Sequence, residues 1–204
     1  MDNSFQMQPE LRYGAPVCDE ILTGRYFTIG YSWYFRQAKW ALEIINRDAR
    51  NVSDLPDVER NDYFRADLRL PRRFRAGLGA YKGSGYDRGH LVASANQDLV
   101  EIQNSETFLL SNMSPQHAGL NRRLWQKLEK AIRTLDARED ILETYVLTAP
   151  VFYFGEVVET IGDEADENGI DVPVPHAFVK SVLAEDVRGR LLLWTFEMKN
   201  QQLS

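Results

Sequence analysis

The segment LNRRLWQKLEKAIRTL (residues 120–135) predicts one long amphipathic helix. Its apolar residues recur at intervals of three and four, which form a single stripe on a helix. They are Leu120, Leu124, Trp125, Leu128, Ala131, Ile132 and Leu135. We expect this stripe to pack into the core. Asn121 is expected at the beginning of the helix, where it can cap the helix or point its amide outward.

Aromatic and β-branched residues dominate the segments around this helix, a composition typical of strands. We predict strands at 26–32, 40–45, 107–113, 145–154, 177–183 and 191–198, with a helical alternative for 40–45. The proline- and glycine-rich segment 53–80 predicts a long loop with short helical pieces. Pro115 is expected to end the strand at 107–113. This order of elements predicts an α+β fold in a single domain over residues 1–204.

Charge is unevenly distributed along the chain. The formal net charge of -6 would ordinarily oppose a nucleic-acid partner, which is bound largely through Lys and Arg. From Arg60 to Arg88, however, eight basic residues stand against three acidic ones, a net charge of +5. An acidic run, GDEADENG, occupies residues 162–169. We expect it to be a solvated loop, with a regulatory or inhibitor-mimicking role as the alternative.

The cysteine count and the amino-terminal residues exclude several classes of protein. Cys18 is the only cysteine, so no intramolecular disulfide and no cysteine-based zinc site is expected, and any metal must be held by oxygen or imidazole. The first residues lack the basic and apolar regions of a signal peptide, and no apolar stretch of about 18 residues occurs. We expect no membrane partner. The compartment stays open between the cytoplasm and a processed secreted or organellar form.

The segment YKGSGYDRGHLVASAN (residues 81–96) contains the side chains best suited to chemistry. In a strand, Arg88 and His90 would point the same way, because residues two apart share a face. Phosphodiester hydrolysis needs a base for water, positive charge beside the phosphate and stabilisation of the leaving 3'-oxygen. Because imidazole titrates near neutrality, we expect His90 to be the base, with Arg88 as a forked phosphate clamp. The third role requires a metal.

Asn121 and Glu129 are the candidates for holding that metal. They lie eight residues apart, about 80° round an ideal helix, so both can face one cavity. Mg²⁺ keeps several of its waters and takes one or two protein ligands, so one amide oxygen can anchor it while Glu129 binds those waters. Asp87, the acid nearest to the base, is open as an alternative ligand.

These motifs resemble the DNA/RNA non-specific endonuclease family, of the endonuclease G type. DRGH (residues 87–90), SNMSPQ (111–116) and LNRRLWQKLE (120–129) occur in the order typical of that family. The segments LRYGAPV and TGRYFTIGYS upstream, and YVLTAPVF, IGDE and DVPVPHAFVKSVL downstream, are similar to its flanking segments. The resemblance covers roughly residues 11–185. Family domains usually continue past 191–198, so we expect a carboxy-terminally shortened form or a segment of a larger protein.

The resemblance implies a mixed or antiparallel β-sheet core with an embedded ββα-metal finger and one long active-site helix. It implies that His90 is the general base and that Asn121 binds Mg²⁺ directly, with Mn²⁺ as a substitute. Glu129 would bind the metal through water, and Asn112 would hold the site around His90. By the same comparison Asp87 is expected to be a scaffold residue.

The implied activity is that of a sugar-non-specific endonuclease. It would hydrolyse DNA and RNA by a one-metal mechanism and leave 5'-phosphate and 3'-hydroxyl ends. The expected substrate-binding residues are Arg60, Arg65, Lys82 and Arg88, and Arg60 and Arg88 would also assist catalysis. His117 and His176 are expected to be structural or exposed.

Two alternative functions stay open. One is a nucleic-acid-binding or partner-regulated homologue without turnover, and the other is a more selective ββα-metal nuclease. DNA and RNA are the expected partners. A homodimer and a protein inhibitor are the further partners that we consider.

Overall fold

The computed structural model describes residues 8–45, 58, 62–162 and 171–202, and the fold is reported for these ranges. The predicted phosphate-binding residue Arg60 lies outside them, as does the acidic run apart from Gly162. Within the described residues, no helix combines the length and the apolar character that crossing a membrane requires.

An antiparallel sheet of six strands forms the body of the fold. The strands of the described residues are β1 (Glu20–Thr23), β2 (Phe27–Ser32), β3 (Gln37–Ile44), β4 (Asp87–His90), β5 (Met113–Gln116), β6 (Ile141–Val151), β7 (Thr160–Ile161), β8 (Val172–Pro173), β9 (Ala177–Asp186) and β10 (Leu191–Lys199). The main sheet has the order β1-β2-β3-β6-β9-β10, and each strand is antiparallel to the next. The remaining strands pair as β4 with β5 and β7 with β8.

The structure confirms most of the predicted strands. The predictions at 26–32, 145–154, 177–183 and 191–198 correspond to β2, β6, β9 and β10, with shifts of a few residues at the ends. The segment 40–45 is largely strand β3, so its helical alternative is wrong. These strands and the helices below confirm an α+β fold. β10 lies at the edge of the sheet, and most of its side chains are exposed.

β4 and β5 form a two-stranded sheet in which Arg88 lies opposite Pro115. The prediction of a strand at 107–113 is wrong, because this segment contains the 3₁₀ helix Leu110–Asn112 and β5 begins only at Met113. Its apolar residues are buried as those of a strand would be, and an apolar run alone does not distinguish the two structures. Pro115 lies inside β5 and does not end it. A strand with one unpaired edge can accept a residue without an N–H.

Short helices connect these strands. The basic segment before β4 contains the 3₁₀ helix Arg72–Phe74 and helix α1 (Leu78–Tyr81), which confirms the predicted short helical pieces. Between β4 and β5 lie the 3₁₀ helix Ser94–Asn96 and helix α2 (Glu101–Glu106). A further 3₁₀ helix, Pro9–Leu11, precedes β1.

The long helix is present, but it is not α-helical throughout. Leu120–Trp125 form a π-helix, which continues directly into α-helix α3 (Gln126–Asp136). The wider π turn changes the direction of the side chains within it. Leu124 is therefore 42% exposed, contrary to its predicted place on the buried stripe, whereas Trp125 is 1% exposed, as predicted. Ala131 of the predicted stripe is exposed as well. Together β4, β5 and this helix form the predicted ββα unit.

One hydrophobic cluster joins the ββα unit to the main sheet. Leu91 and Val92, which follow β4, belong to it together with Ile29 of β2 and Phe178 of β9. Trp125 enters the same cluster from the helix, with its ring centroid 5.6 Å from that of Phe178. Burial of side chains of this size stabilises a fold by about 2–3 kcal/mol each. The cluster therefore fixes the end of β4 and the beginning of the helix on the same face of the sheet.

We predict that Gly30→Ala destabilises the fold by about 3 kcal/mol, because a Cβ at Gly30 would fall within the Trp40 indole on the neighbouring strand. The free energy of unfolding from urea titration measures this loss. Gly155→Ala is the control, since Gly155 has a φ of 83° and open space around its Cβ position, and it should lose only about 1 kcal/mol. Equal losses in the two variants would contradict the predicted clash.

Candidate active site

Five of the predicted site residues line one cavity of about 840 Å³. They are Lys82, Arg88, His90, Asn121 and Glu129. Strand β4 supplies the guanidinium and the imidazole, while the long helix supplies the amide and the carboxylate from its π-helical and α-helical parts. The cavity is thus formed where the two halves of the ββα unit face each other.

Phe64 positions the two functional side chains of β4. The guanidinium carbon of Arg88 lies 4.1 Å from the centroid of the Phe64 ring, a cation–π contact. The His90 ring meets Phe64 and Phe108 edge-on, with centroid distances of 5.7 Å and 5.0 Å. Between Arg88 and His90, Gly89 is required by space, because a Cβ there would lie 2.7 Å from the Cβ of Gln116. Both side chains are therefore held by packing before any substrate binds.

Asn112 supports the site from behind and does not line the cavity. It is fully buried, and its Oδ1 accepts a hydrogen bond of 2.9 Å from the backbone N–H of Val92. Its Nδ2 donates to the carbonyl oxygens of Val92 and Thr107, each at 2.9 Å. Asn112 thus fixes the backbone two residues after His90. This placement is compatible with the predicted role of holding the site.

Asp87 orients the amide of Asn121. Asn121 Nδ2 donates to Asp87 Oδ2 at 2.9 Å, and a carboxylate only accepts, so the amide oxygen must point the other way. That oxygen, Oδ1, receives no hydrogen bond from the described part of the chain. Burial favours the protonated form of Asp87, but hydrogen bonds from Arg122 and Asn121 keep the pKa of this carboxyl below its ordinary value. In this structure the Asp87 carboxyl therefore links the Asn121 amide to the Arg122 guanidinium.

A buried cation lies beneath the helix that carries Glu129. The Lys180 ammonium is 4.7 Å from the centroid of the Trp125 ring and donates to Thr148 Oγ1 at 2.7 Å. Burial lowers the pKa of Lys180, while the charges of Glu129 and Glu43 oppose that shift. Burial also raises the pKa of Glu43 to about 7. The helix therefore packs on a layer that contains two buried ionisable side chains, Lys180 and Glu43.

The donor set fits a hydrated hard cation. Within residues 8–45, 58, 62–162 and 171–202, no three His, Cys, Asp or Glu side chains are grouped as a metal cage. Asn121, which carries an amide oxygen, and Glu129, which carries a carboxylate, both line the cavity. Mg²⁺ is commonly bound in this way, through one or two protein oxygens and several waters. These two residues could hold it.

The other candidates lie elsewhere. Arg65 does not line the cavity, because its Nη1 donates to the carbonyl oxygens of Tyr63 and Ser105. His117 and His176 line a smaller cavity of about 260 Å³. His176 Nδ1 accepts a hydrogen bond from the backbone N–H of Tyr153, and the His176 ring stacks on the Tyr153 ring. Arg60 is among the residues that the structure does not describe.

Three contributors were missed by the sequence reasoning: Phe64, Arg122 and Lys180. Phe64 carries no local signal, since its partners Arg88 and His90 are more than 20 residues away in the chain. Lys180 could have been recognised, because a single lysine inside the apolar strand segment AFVKSVL suggests a buried and paired cation. Arg122 is next to Asn121, but the sequence does not show that it reaches Asp87.

Comparison with known proteins places this site in a family. Residues 9–204 match the family described as DNA/RNA non-specific endonuclease. "Endonuclease G, mitochondrial" of Caenorhabditis elegans is 29% identical over 200 residues, which cover 93% of this chain and 62% of that protein. The human protein of the same name is 31% identical over 194 residues, which cover 93% of this chain and 62% of that protein. "Nuclease C1" of Cunninghamella echinulata is 30% identical over 201 residues, which cover 95% of this chain and 77% of that protein.

A solved structure supports the same grouping. "Crystal structure of the EndoG/EndoGI complex: Mechanism of EndoG inhibition" matches with a TM-score of 0.83 and 31% identity, over 96% of this chain and 80% of that one. The chain spans 62% of the length of the worm and human endonuclease G relatives. The match over residues 9–204 shows that this chain belongs to the DNA/RNA non-specific endonuclease family.

Proposed function

We propose that this chain is a metal-dependent endonuclease that hydrolyses phosphodiester bonds in both DNA and RNA. The observation that carries the proposal is the convergence of His90, Arg88, Asn121 and Glu129 on one cavity, because these side chains supply the base, the phosphate clamp and the metal ligands. Membership of the family supports the same activity. Mg²⁺ is the proposed metal and Mn²⁺ its substitute.

His90 is proposed to remove a proton from the water that attacks phosphorus. As oxygen from this water bonds to phosphorus, the bond to the 3'-oxygen breaks. The 3'-oxygen takes a proton from a solvent water, and His90 returns its own proton to solvent. The products are a 5'-phosphate and a 3'-hydroxyl. Packing against Phe64 and Phe108 holds the imidazole in place during the proton transfer.

Arg88 is proposed to bind a nonbridging phosphate oxygen pair through its fork. Its stack on Phe64 fixes the plane of the guanidinium. Lys82 lines the same cavity and would add positive charge for a neighbouring phosphate. Such contacts reach phosphate and sugar only and carry no base information, which supports cleavage without regard to sequence.

Asn121 is proposed as the direct metal ligand, with Glu129 binding the metal through water. A bound Mg²⁺ supplies positive charge that stabilises the negative charge developing on the phosphate and on the leaving 3'-oxygen. The hydrogen bond from Asn121 Nδ2 to Asp87 leaves the Asn121 amide oxygen available to a metal. One ligating amide and one carboxylate favour a one-metal mechanism over a two-metal mechanism.

Partners and compartment follow from the relatives. Several relatives are named as mitochondrial, so an organellar form is proposed. The matched solved structure is a complex with an inhibitor of endonuclease G, so a protein inhibitor is also proposed. The homodimer stays a prediction.

We predict that His90→Ala lowers kcat by about three orders of magnitude without unfolding the protein, because it removes the base and leaves the clamp and the metal ligands in place. Plasmid nicking under saturating Mg²⁺ measures the loss, and circular dichroism checks the fold. His117→Ala is the matched control, since His117 lies in the smaller cavity and should keep wild-type kcat. Wild-type nicking by the His90 variant would remove His90 from the mechanism.

We predict that plasmid, single-stranded DNA and RNA are all digested, that EDTA stops each reaction, and that excess Mg²⁺ or Mn²⁺ restores it. The ends should carry a 5'-phosphate, detected by direct ligation of the fragments. Survival of one or two substrates would indicate the more selective ββα-metal nuclease. No digestion at any metal concentration would favour the binding protein without turnover.

A further inference from the structure

Arg122 forms a forked ion pair with Asp87 at the rim of the active-site cavity. Its Nε donates to Asp87 Oδ2 at 2.8 Å and its Nη2 donates to Oδ1 at 2.6 Å. The Arg122 side chain is 71% exposed, whereas the Asp87 side chain is 18% exposed. Both residues line the cavity. An exposed ion pair contributes little to stability. Stabilisation of the fold therefore does not explain why Arg122 pairs with Asp87.

The same carboxylate also holds the amide of Asn121. Asp87 Oδ2 accepts from Asn121 Nδ2 at 2.9 Å as well as from Arg122 Nε. The two oxygens of Asp87 therefore accept three hydrogen bonds, one from Asn121 and two from Arg122. These two donor residues are adjacent in the π-helical turn. Arg122 and Asn121 are thus coupled through Asp87.

An unpaired carboxylate at this place would compete for the metal. Carboxylate oxygens are hard anionic ligands, and Mg²⁺ and Mn²⁺ prefer them to a neutral amide oxygen. Asp87 lines the same cavity as Asn121 and Glu129. Donors from Arg122 occupy both of its oxygens, and the guanidinium neutralises its charge. The selection of the amide as the ligand therefore needs an explanation outside Asn121 itself.

We infer that Arg122 is a positioning residue that keeps Asp87 from binding the metal and thereby makes the Asn121 amide oxygen the ligand. This inference rests on the proposed role of Asn121. It assigns to Arg122 a task that a lysine performs less well, since the planar fork engages both oxygens at once and an ammonium binds as a point charge. Arg122 acts through Asp87 and need not contact substrate.

The test measures binding of Mn²⁺ alone, without nucleic acid, by calorimetric titration. In Arg122→Ala we expect the Kd for Mn²⁺ to fall about tenfold, because a repelling cation is lost and the anionic Asp87 becomes available as a ligand. Nicking by the same variant should nevertheless be at least about tenfold slower in kcat, because the metal moves from its productive place. Tighter binding with slower turnover is an outcome that a purely structural role for Arg122 would not produce.

Arg123→Ala is the matched control. Arg123 is the next residue of the same helical turn, carries the same charge and is exposed, but it does not line the cavity. Its Kd for Mn²⁺ and its kcat should equal those of the wild type. If Arg122→Ala and Arg123→Ala bind Mn²⁺ equally and turn over equally, the inference is overturned. A raised KM for DNA with an unchanged Kd for Mn²⁺ would also overturn it, because Arg122 would then be a phosphate contact.

Asn121→Ala separates this inference from the proposed function. In the wild-type background this change should weaken Mn²⁺ binding about tenfold or more. In the Arg122→Ala background it should change the Kd by less than about threefold, because Asp87 has replaced the amide. Loss of binding to the same extent in both backgrounds overturns the role of Arg122 alone. Unchanged binding in the wild-type background overturns the metal assignment, and this inference with it.

Discussion

Shared burial of β4 and the long helix against one face of the main sheet is the constraint on which the site depends. Leu91 and Val92 continue directly from His90, while Trp125 lies between Asn121 and Glu129, and all three side chains enter one hydrophobic cluster. Because the interior is close-packed, neither element can shift without opening a void. The distance across the cavity is therefore set by apolar residues that take no part in chemistry.

Buried polar groups further fix the positions of β4 and the long helix. Asn112 ties the backbone of Val92 with paired hydrogen bonds, and Lys180 lies between the helix and β6 through Trp125 and Thr148. Each of these groups has partners, as burial demands. Arg88, His90 and Asn121 lie on the cavity side of the same elements. Their positions are thus determined by the buried residues on the opposite side.

The sequence predicts the elements better than it predicts their contacts. Periodicity is sufficient for the helix at 120–135 and for strands such as β9, since both patterns are local. It fails at 107–113, where a buried apolar run forms a 3₁₀ helix, and at Leu124, where the π turn breaks the α-helical period. The site follows the same division. DRGH is local and identifies His90, whereas the stack of Phe64 on Arg88 and the fork of Arg122 depend on partners distant in the chain.

The π turn at Leu120–Trp125 sets the angle between Asn121 and Glu129 around the helix axis. A π turn contains one residue more than the α turn that it replaces. Loss of a single codon in this stretch could leave a regular helix and an intact core, yet it would rotate Asn121 relative to Glu129. The number of residues in Leu120–Trp125, as well as their identity, thus determines where Asn121 lies relative to Glu129.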